Sequence, residues 1–353
     1  MPRNKRPLQD ISCICSSGTT SGQGVLAMIL ITGASGFIGS ALACALNRQG
    51  SSDLILCDRF GKNEKWQNLL GVSFHRFIHR DELFDFLGCP SNAAQITSVV
   101  HLGACSDTTQ TDMDYLLENN VNFSIRLCQW ALDNDIRFVY ASSAATYGDG
   151  SLGFSDADEL TPKLRPLNKY GFSKWLFDMW VLKHDLQNHV AGLRYFNVFG
   201  PNEYHKGTMA SVIYRTLPQA LHDGRVRLFE SHRSDFAHGE QARDFIYIDE
   251  IIDITCFVLR TRQANGIFNA GTGRAHTFNE LARGVFDGLG KEPLIDYFPM
   301  PDELRGRYQY YTCADTTRLR QAGYTPGPDR FRAFVARYVR DYLAPGCKYY
   351  SQV

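Results

Sequence analysis

The chain carries no excess charge of either sign. Its 37 basic residues balance 37 acidic ones across 353 positions, so the formal net charge is zero. A general nucleic-acid or membrane-surface binder needs a basic excess to hold phosphates, and neither partner is expected here. Long apolar runs are also missing, since none approaches the roughly 20 residues that cross a bilayer. The ten cysteines form no Cys-x-x-Cys pair and only Cys13 and Cys15 stand close together, which argues against a structural zinc site. Cys44, Cys57, Cys128 and Cys256 sit inside apolar segments. Buried reduced thiols are expected there, and they suit a cytoplasmic compartment. His75 and His79 are four residues apart with no third ligand near them, so no metal is expected. Residues 1–27 lack the long apolar stretch of a secretory signal. They hold Gly, Ser and Thr clusters behind a basic start (Arg3, Lys5, Arg6), and read as a disordered extension before a fold that begins at Met28.

What is present is an α/β pattern. Hydrophobic residues make up 44% of the chain and charged ones 21%, enough for a sizeable core in one large or two modest domains. Met28 to Thr32 is an apolar, β-branched run. Gly33, Gly36 and Gly39 follow at intervals of three, and Ala41 to Arg48 reads as a helix. A strand, a glycine turn and a helix start make a phosphate-binding unit, in which bare backbone approaches a pyrophosphate and the helix dipole favours the anion. Leu54 to Cys57 is a second apolar run closed by Asp58, where a ribose-binding acid belongs. An acid there favours the free 2′-hydroxyl of NAD. The basic residues Arg59 and Lys65 tilt the preference to NADP.

The alternation continues. Val72 to Ile78 is a weaker strand, Arg80 to Leu87 a short helix, and Ile96 to Leu102 a buried strand ending in Gly103-Ala104-Cys105-Ser106. Asp112 to Asp133 reads as one long helix, Arg137 to Ala141 as a strand ending in Ser142 and Ser143, and His189 to Phe196 as another. This predicts a Rossmann-type doubly wound parallel sheet over residues 28–200, with its ligand across the carboxyl ends of the strands. Residues 201–345 read as a smaller mixed α/β substrate lobe, with the chain returning to the large domain at about 243–270, and 346–353 as a tail.

Tyr170-Gly171-Phe172-Ser173-Lys174 places a phenol and an ammonium on one helix face. Tyr170 to His184 reads as this helix, with the apolar residues Trp175, Leu176, Met179 and Leu182 on one side. A lysine beside a phenol is expected to lower the phenol's pKa, and Ser143 at a strand end can hydrogen-bond a reacting oxygen. With TGASGFIG and YASSAATYG in order ahead of YGFSK, the sequence resembles the extended short-chain dehydrogenase/reductase superfamily. The segments HLGACSDTT, RYFNVFGPNEYHKGTMAS, ARDFIYIDE, IFNAGTGRAHTF and LRGRYQ narrow this. Together they resemble the nucleotide-sugar epimerase family whose members invert C6 of ADP-D-glycero-D-manno-heptose, over nearly all of the chain beyond the first 27 residues.

The resemblance implies an NADP-dependent isomerase (NAD being the alternative) in lipopolysaccharide inner-core precursor synthesis, acting through a 6-keto intermediate. It also implies a homo-oligomer, a pentamer in that family. Tyr170 matches one catalytic acid/base, Lys206 a second, Ser143 the supporting serine and Lys174 the cofactor-binding lysine. Cofactor contacts match Gly33, Gly36, Phe37, Ile38, Gly39, Asp58, Arg59, Lys65, Arg80, Leu102, Gly103, Ala104, Cys105, Ser106, Asn119, Val198 and Lys206. Substrate contacts match Asn197, Thr208, Arg215, Phe229, Glu230, Ser231, His232, Arg243 and Tyr308. Two bases make chemical sense: hydride leaves one face of the carbon and returns to the other, so an acid/base must reach the oxygen in each orientation of the ketone. Arg80, Thr208 and Arg215 stand where the family usually has Lys, Ser and His, and the loop Ser231 to Ala242 is longer than usual. Alternatives are a UDP-sugar 4-epimerase or reductase on the same scaffold, and a non-catalytic cofactor-sensing regulator. Retention of Ser143, Tyr170 and Lys174 counts against the regulator. Ala144-Ala145, in place of an acidic pair, counts against a dehydratase.

Overall fold

The computed structural model describes residues 27–305 and 308–353, with the side chains of residues 303 and 304 excepted. The extension expected over 1–27, Cys13, Cys15, Gly306 and Arg307 therefore lie outside the described residues, save for residue 27 itself. Seven strands form one parallel sheet: β1 (Met28–Thr32), β2 (Leu54–Asp58), β3 (Arg76–His79), β4 (Ile96–His101), β5 (Arg137–Ser143), β6 (Val190–Tyr195) and β7 (Gly266–Ala270). Their spatial order is β3-β2-β1-β4-β5-β6-β7, with every neighbouring pair parallel. The order reverses between β1 and β4, which creates the crevice where doubly wound sheets bind ligands.

Both sheet faces are covered, as a parallel sheet requires. On one side lie α1 (Phe37–Arg48) and the later helices; on the other lie α2 (Phe123–Asp133) and α3 (Lys169–Lys183). The remaining helices used below are α4 (Val212–His222), α5 (Ile248–Arg260), α6 (Phe278–Leu289) and α7 (Phe331–Arg337). Three two-stranded pairs complete the architecture: Asn197–Phe199 with Phe245–Tyr247, Val226–Phe229 with Ile295–Phe298, and Ala242–Arg243 with His276–Thr277. The chain past residue 200 thus re-enters the large sheet through β7 and packs α5 against α1.

The structure departs from the sequence reading in two places. The expected helix from Asp112 to Asp133 is helical from Met113, but Leu117–Asn122 is a widened π turn. Such turns add a residue to the helix and turn side chains inward. The strand read at Val72–Ile78 forms at Arg76–His79 instead, at the sheet edge. The packed face of α3 is not its apolar side. Gly171, Ser173, Lys174, Phe177, Asp178 and Val181 are buried, while Trp175, Leu176, Met179 and Leu182 are half-exposed. The helix turns its polar stripe inward because that stripe has buried partners. Asp178 accepts from Arg194 Nε at 2.9 Å, Ser142 Oγ at 2.9 Å and Tyr140 Oη at 3.1 Å.

Candidate active site

A cavity of about 610 Å³ opens at the carboxyl ends of β1, β4, β5 and β6. Gly33 has φ of +67°, and a Cβ there would lie 2.6 Å from the Gly103 amide nitrogen. The loops after β1 and β4 therefore meet as bare backbone, which only glycine allows. α1 starts with Gly36 as N-cap, no capping side chain and no acid in its first turn. Its unpaired N–H groups and positive dipole end face the cavity. This cradle fits a dinucleotide pyrophosphate.

A side cavity of about 290 Å³ is lined by Asp58, Arg59, Lys65, Arg80, Cys105 and Asn119 among others. Asp58 accepts four hydrogen bonds. Oδ2 takes Ser35 N at 2.8 Å and Ser35 Oγ at 2.5 Å. Oδ1 takes Arg59 N at 2.7 Å and Lys65 Nζ at 2.8 Å. Arg80 donates to the side-chain oxygen of Asn119. The π turn orients the next residue. Asn120 Nδ2 donates to Cys105 O at 2.9 Å and Ser173 Oγ at 3.0 Å, and its Oδ1 accepts from Cys105 N at 2.8 Å. One amide thereby joins the β4 loop to α3.

Tyr170 stands in the first turn of α3, which Asn168 starts by accepting from Gly171 N at 2.7 Å. A Cβ on Gly171 would lie 2.7 Å from the Ala145 carbonyl oxygen; the missing side chain lets α3 close on the turn after β5 and sets Tyr170 beside Ser143. Burial raises the Tyr170 pKa, and a hydrogen bond with Ser143 opposes the rise. The expected lowering by Lys174 is not seen. Lys174 Nζ instead donates to Ala141 O at 2.9 Å, and its own pKa is brought down to about 8 by burial, partly offset by Asp178. Lysine and phenol share a helix face, but here the ammonium points along the strand end and desolvation governs the phenol.

Lys206 reaches the same cavity from the turn Tyr204–Met209. Its ammonium lies 5.3 Å from the centroid of the Phe37 ring. Burial lowers its pKa and Glu203 opposes that. Ser143, Tyr170, Lys174 and Lys206 thus all line one cavity, with Gly33, Gly36, Phe37, Ile38, Gly39, Asp58, Lys65, Leu102, Gly103, Ala104, Ser106, Asn197, Val198 and Arg243.

The other expected substrate contacts are more scattered. The Arg243 guanidinium sits 5.2 Å from the Tyr308 ring centroid, and Phe229 packs edge-on to Tyr308 at 6.2 Å, so these two stand behind Arg243. Thr208, Arg215, Glu230, Ser231 and His232 do not line either cavity. Arg215 Nη1 donates to Thr208 O at 3.3 Å at the surface. The backbone N–H of His232 donates to Tyr310 Oη at 3.0 Å.

Sequence reasoning passed over Ser35, Asn68 and Asn120. Asn68 Nδ2 donates to Ser35 O at 2.9 Å and Asn202 O at 3.2 Å, and lies 3.3 Å from His205 Nδ1. Burial brings the His205 pKa down to about 4, so the ring is neutral. Asn68 therefore ties the glycine turn to the Lys206 turn. Nothing local marks it, since its partners stand far away in the chain. Among the described residues no cluster of potential metal ligands occurs, and no helix is long and apolar enough to cross a membrane.

Residues 29–271 match the model of the NAD dependent epimerase/dehydratase family. The chain belongs to that family. Within it, the chain is 45% identical to the ADP-L-glycero-D-manno-heptose-6-epimerase of Nitratidesulfovibrio vulgaris strain DP4, over 90% of this chain and 98% of that one. It is 42% identical, with the same coverage, to the enzyme of that name from Fusobacterium nucleatum. Among solved structures, the Helicobacter pylori ADP-L-glycero-D-manno-heptose-6-epimerase superposes with a TM-score of 0.73 at 27% identity, covering 91% of this chain and 96% of that one. Family membership fits the dinucleotide cradle and makes a nicotinamide cofactor the natural occupant.

Proposed function

We propose that the protein inverts C6 of ADP-D-glycero-β-D-manno-heptose to give the L-glycero epimer, with NADP as its resident cofactor. The observation that carries this reading is the meeting of Tyr170 and Lys206 in one cavity, on separate elements, both desolvated. The chemistry a nicotinamide dinucleotide supplies when bound is reversible hydride exchange with a carbinol carbon. The chain supplies the rest. Tyr170, held by Ser143, takes the hydroxyl proton in one orientation of the sugar. The ketone turns within the cavity, and Lys206 exchanges the proton in the other. Lys174 braces the wall from the Ala141 carbonyl, where it can hold the nicotinamide ribose. Arg243 is placed to neutralise a substrate diphosphate.

Arg59, Lys65 and Arg80 surround an Asp58 that already accepts four hydrogen bonds. That arrangement favours a 2′-phosphate over a free 2′-hydroxyl, which supports NADP. By the same resemblance the enzyme is a cytoplasmic homo-oligomer serving lipopolysaccharide inner-core synthesis, and light scattering on the pure protein is expected to read the mass of a pentamer. The test is incubation of pure protein and NADP with ADP-D-glycero-β-D-manno-heptose, followed by NMR at C6. Conversion to the L-glycero epimer is expected, with Tyr170→Phe and Lys206→Ala each at least about 100-fold slower. Conversion of UDP-glucose in its place would move the assignment to the UDP-sugar 4-epimerases. A fully active Lys206→Ala would remove the second base.

A further inference from the structure

Beneath Lys206 lies a carboxylate that neither the chemistry above nor the cofactor cradle uses. Glu203 is fully buried. Its Oε2 accepts from Ser211 N at 2.6 Å, and its Oε1 accepts from Ser211 Oγ at 2.6 Å and Tyr338 Oη at 3.0 Å. Its own carbonyl accepts from Lys206 N at 3.0 Å. One residue therefore closes both ends of the turn that presents Lys206: the start through its backbone, the far end through its side chain at the N-cap of α4. All three donors to the carboxylate suit the ionised form, which only accepts.

We propose that Glu203 is the positioning residue of Lys206, clamping its turn and serving as the buried counter-charge of its ammonium. This rests on Lys206 being the second acid/base. The surroundings leave that role to Glu203. Asp58 is already paired with Lys65 at 2.8 Å. Tyr170, Lys174 and Arg243 on the cavity wall bring no negative charge at neutral pH, and His205 beside Lys206 is neutral. Lys206 itself has a cation–π contact with Phe37 and, among the described residues, no hydrogen bond from its ammonium. Removing the Glu203 charge should then make the ammonium easier to deprotonate, while an uncharged isostere keeps the turn shut. A glutamine can still accept from Ser211 N with its oxygen and donate from its amide to Ser211 Oγ or Tyr338 Oη.

The test measures the pH dependence of reductive methylation at Lys206 in the full-length protein, read by peptide mass spectrometry. Only the neutral amine attacks formaldehyde, and added cyanoborohydride reduces the iminium that forms on loss of water. The midpoint therefore reports charge, and the high-pH plateau reports access. Glu203→Gln is expected to lower the midpoint by about one pH unit, giving about tenfold faster labelling below it, with the plateau unchanged. Glu203→Asp keeps the charge but shortens the clamp, and should return the midpoint to the wild-type value. A wild-type midpoint in Glu203→Gln, or a midpoint in Glu203→Asp displaced as far as in Glu203→Gln, would overturn the proposal. If the glutamine variant does not fold, the aspartate variant decides alone: its midpoint stays for a counter-charge and moves for a purely geometric clamp. Labelling needs no sugar substrate, so failure of heptose turnover would sink the functional reading and leave this result standing.

Discussion

At the scale of single residues, the burial of Lys174 opposes stability. Burial brings its pKa down to about 8, against about 10.4 in the unfolded chain. Between those values the unfolded state binds more protons than the folded one, so stability rises with pH across that window and the penalty is complete below it. The gap corresponds to about 3 kcal/mol. Lys174→Met is therefore expected to raise the unfolding free energy near pH 7 by about 1–3 kcal/mol, with the gain shrinking toward pH 10, while turnover is lost. Urea denaturation at the two pH values, alongside the NMR assay, checks both halves. The meeting of Tyr170, Lys174 and Ser143 in one cavity was legible because their spacing on a helix and at a strand end is a local property. The direction of the Tyr170 shift was not, because it depends on where the lysine ammonium turns and how deeply the phenol is buried.

At the scale of elements, the approach of α3 to the turn after β5 sets the site. Two effects compete at Gly171. Alanine would improve helix propensity by about 1 kcal/mol, but its Cβ would lie 2.7 Å from the Ala145 carbonyl oxygen. Backbone oxygen does not yield easily, so the clash wins and α3 must move outward. Gly171→Ala is expected to fold, to lose about 100-fold in kcat as Tyr170 leaves Ser143, and to bind NADP less tightly. Stopped-flow turnover and cofactor titration by fluorescence would measure this. α3 also shows why an apolar count misjudges a face: Lys174 and Asp178 point inward because Ala141 O, Arg194 and Ser142 wait for them. The π turn at Leu117–Asn122 was hidden for the same reason, since its value lies in the partners of Asn120.

At the scale of the whole molecule, the last residues close the fold over its beginning. Tyr350 is buried; its N–H donates to Asn202 Oδ1 at 2.8 Å and its hydroxyl to Asp249 Oδ1 at 2.8 Å. Arg48 at the end of α1 donates to Tyr350 O at 2.8 Å, and Tyr204 Oη to Lys348 O at 2.6 Å. The segment read as a tail thus supports the stretch that leads to Lys206. Deleting residues 346–353 is expected to lower Tm by about 5 °C, as loss of a buried aromatic side chain and its bonds would. It should also lower kcat more than it raises KM, because the Lys206 turn loosens. Calorimetry and steady-state kinetics on the truncated chain would check this.

Most of the sheet, the dinucleotide turn and the phenol–lysine pair were determined by the sequence alone. Each rests on period, glycine spacing or strand ends, and these act over a few residues. The tertiary structure decided what depends on partners far along the chain. It engaged Asp58 with Ser35 and Lys65, tied Asn68 to the turns on both sides of the cavity, and placed Glu203 under Lys206. It also left Thr208, Arg215 and the Ser231–His232 loop outside the cavity that Tyr170 and Lys206 share. Hydrogen bonds between buried polar groups are set by which elements meet, and local sequence carries no record of that meeting.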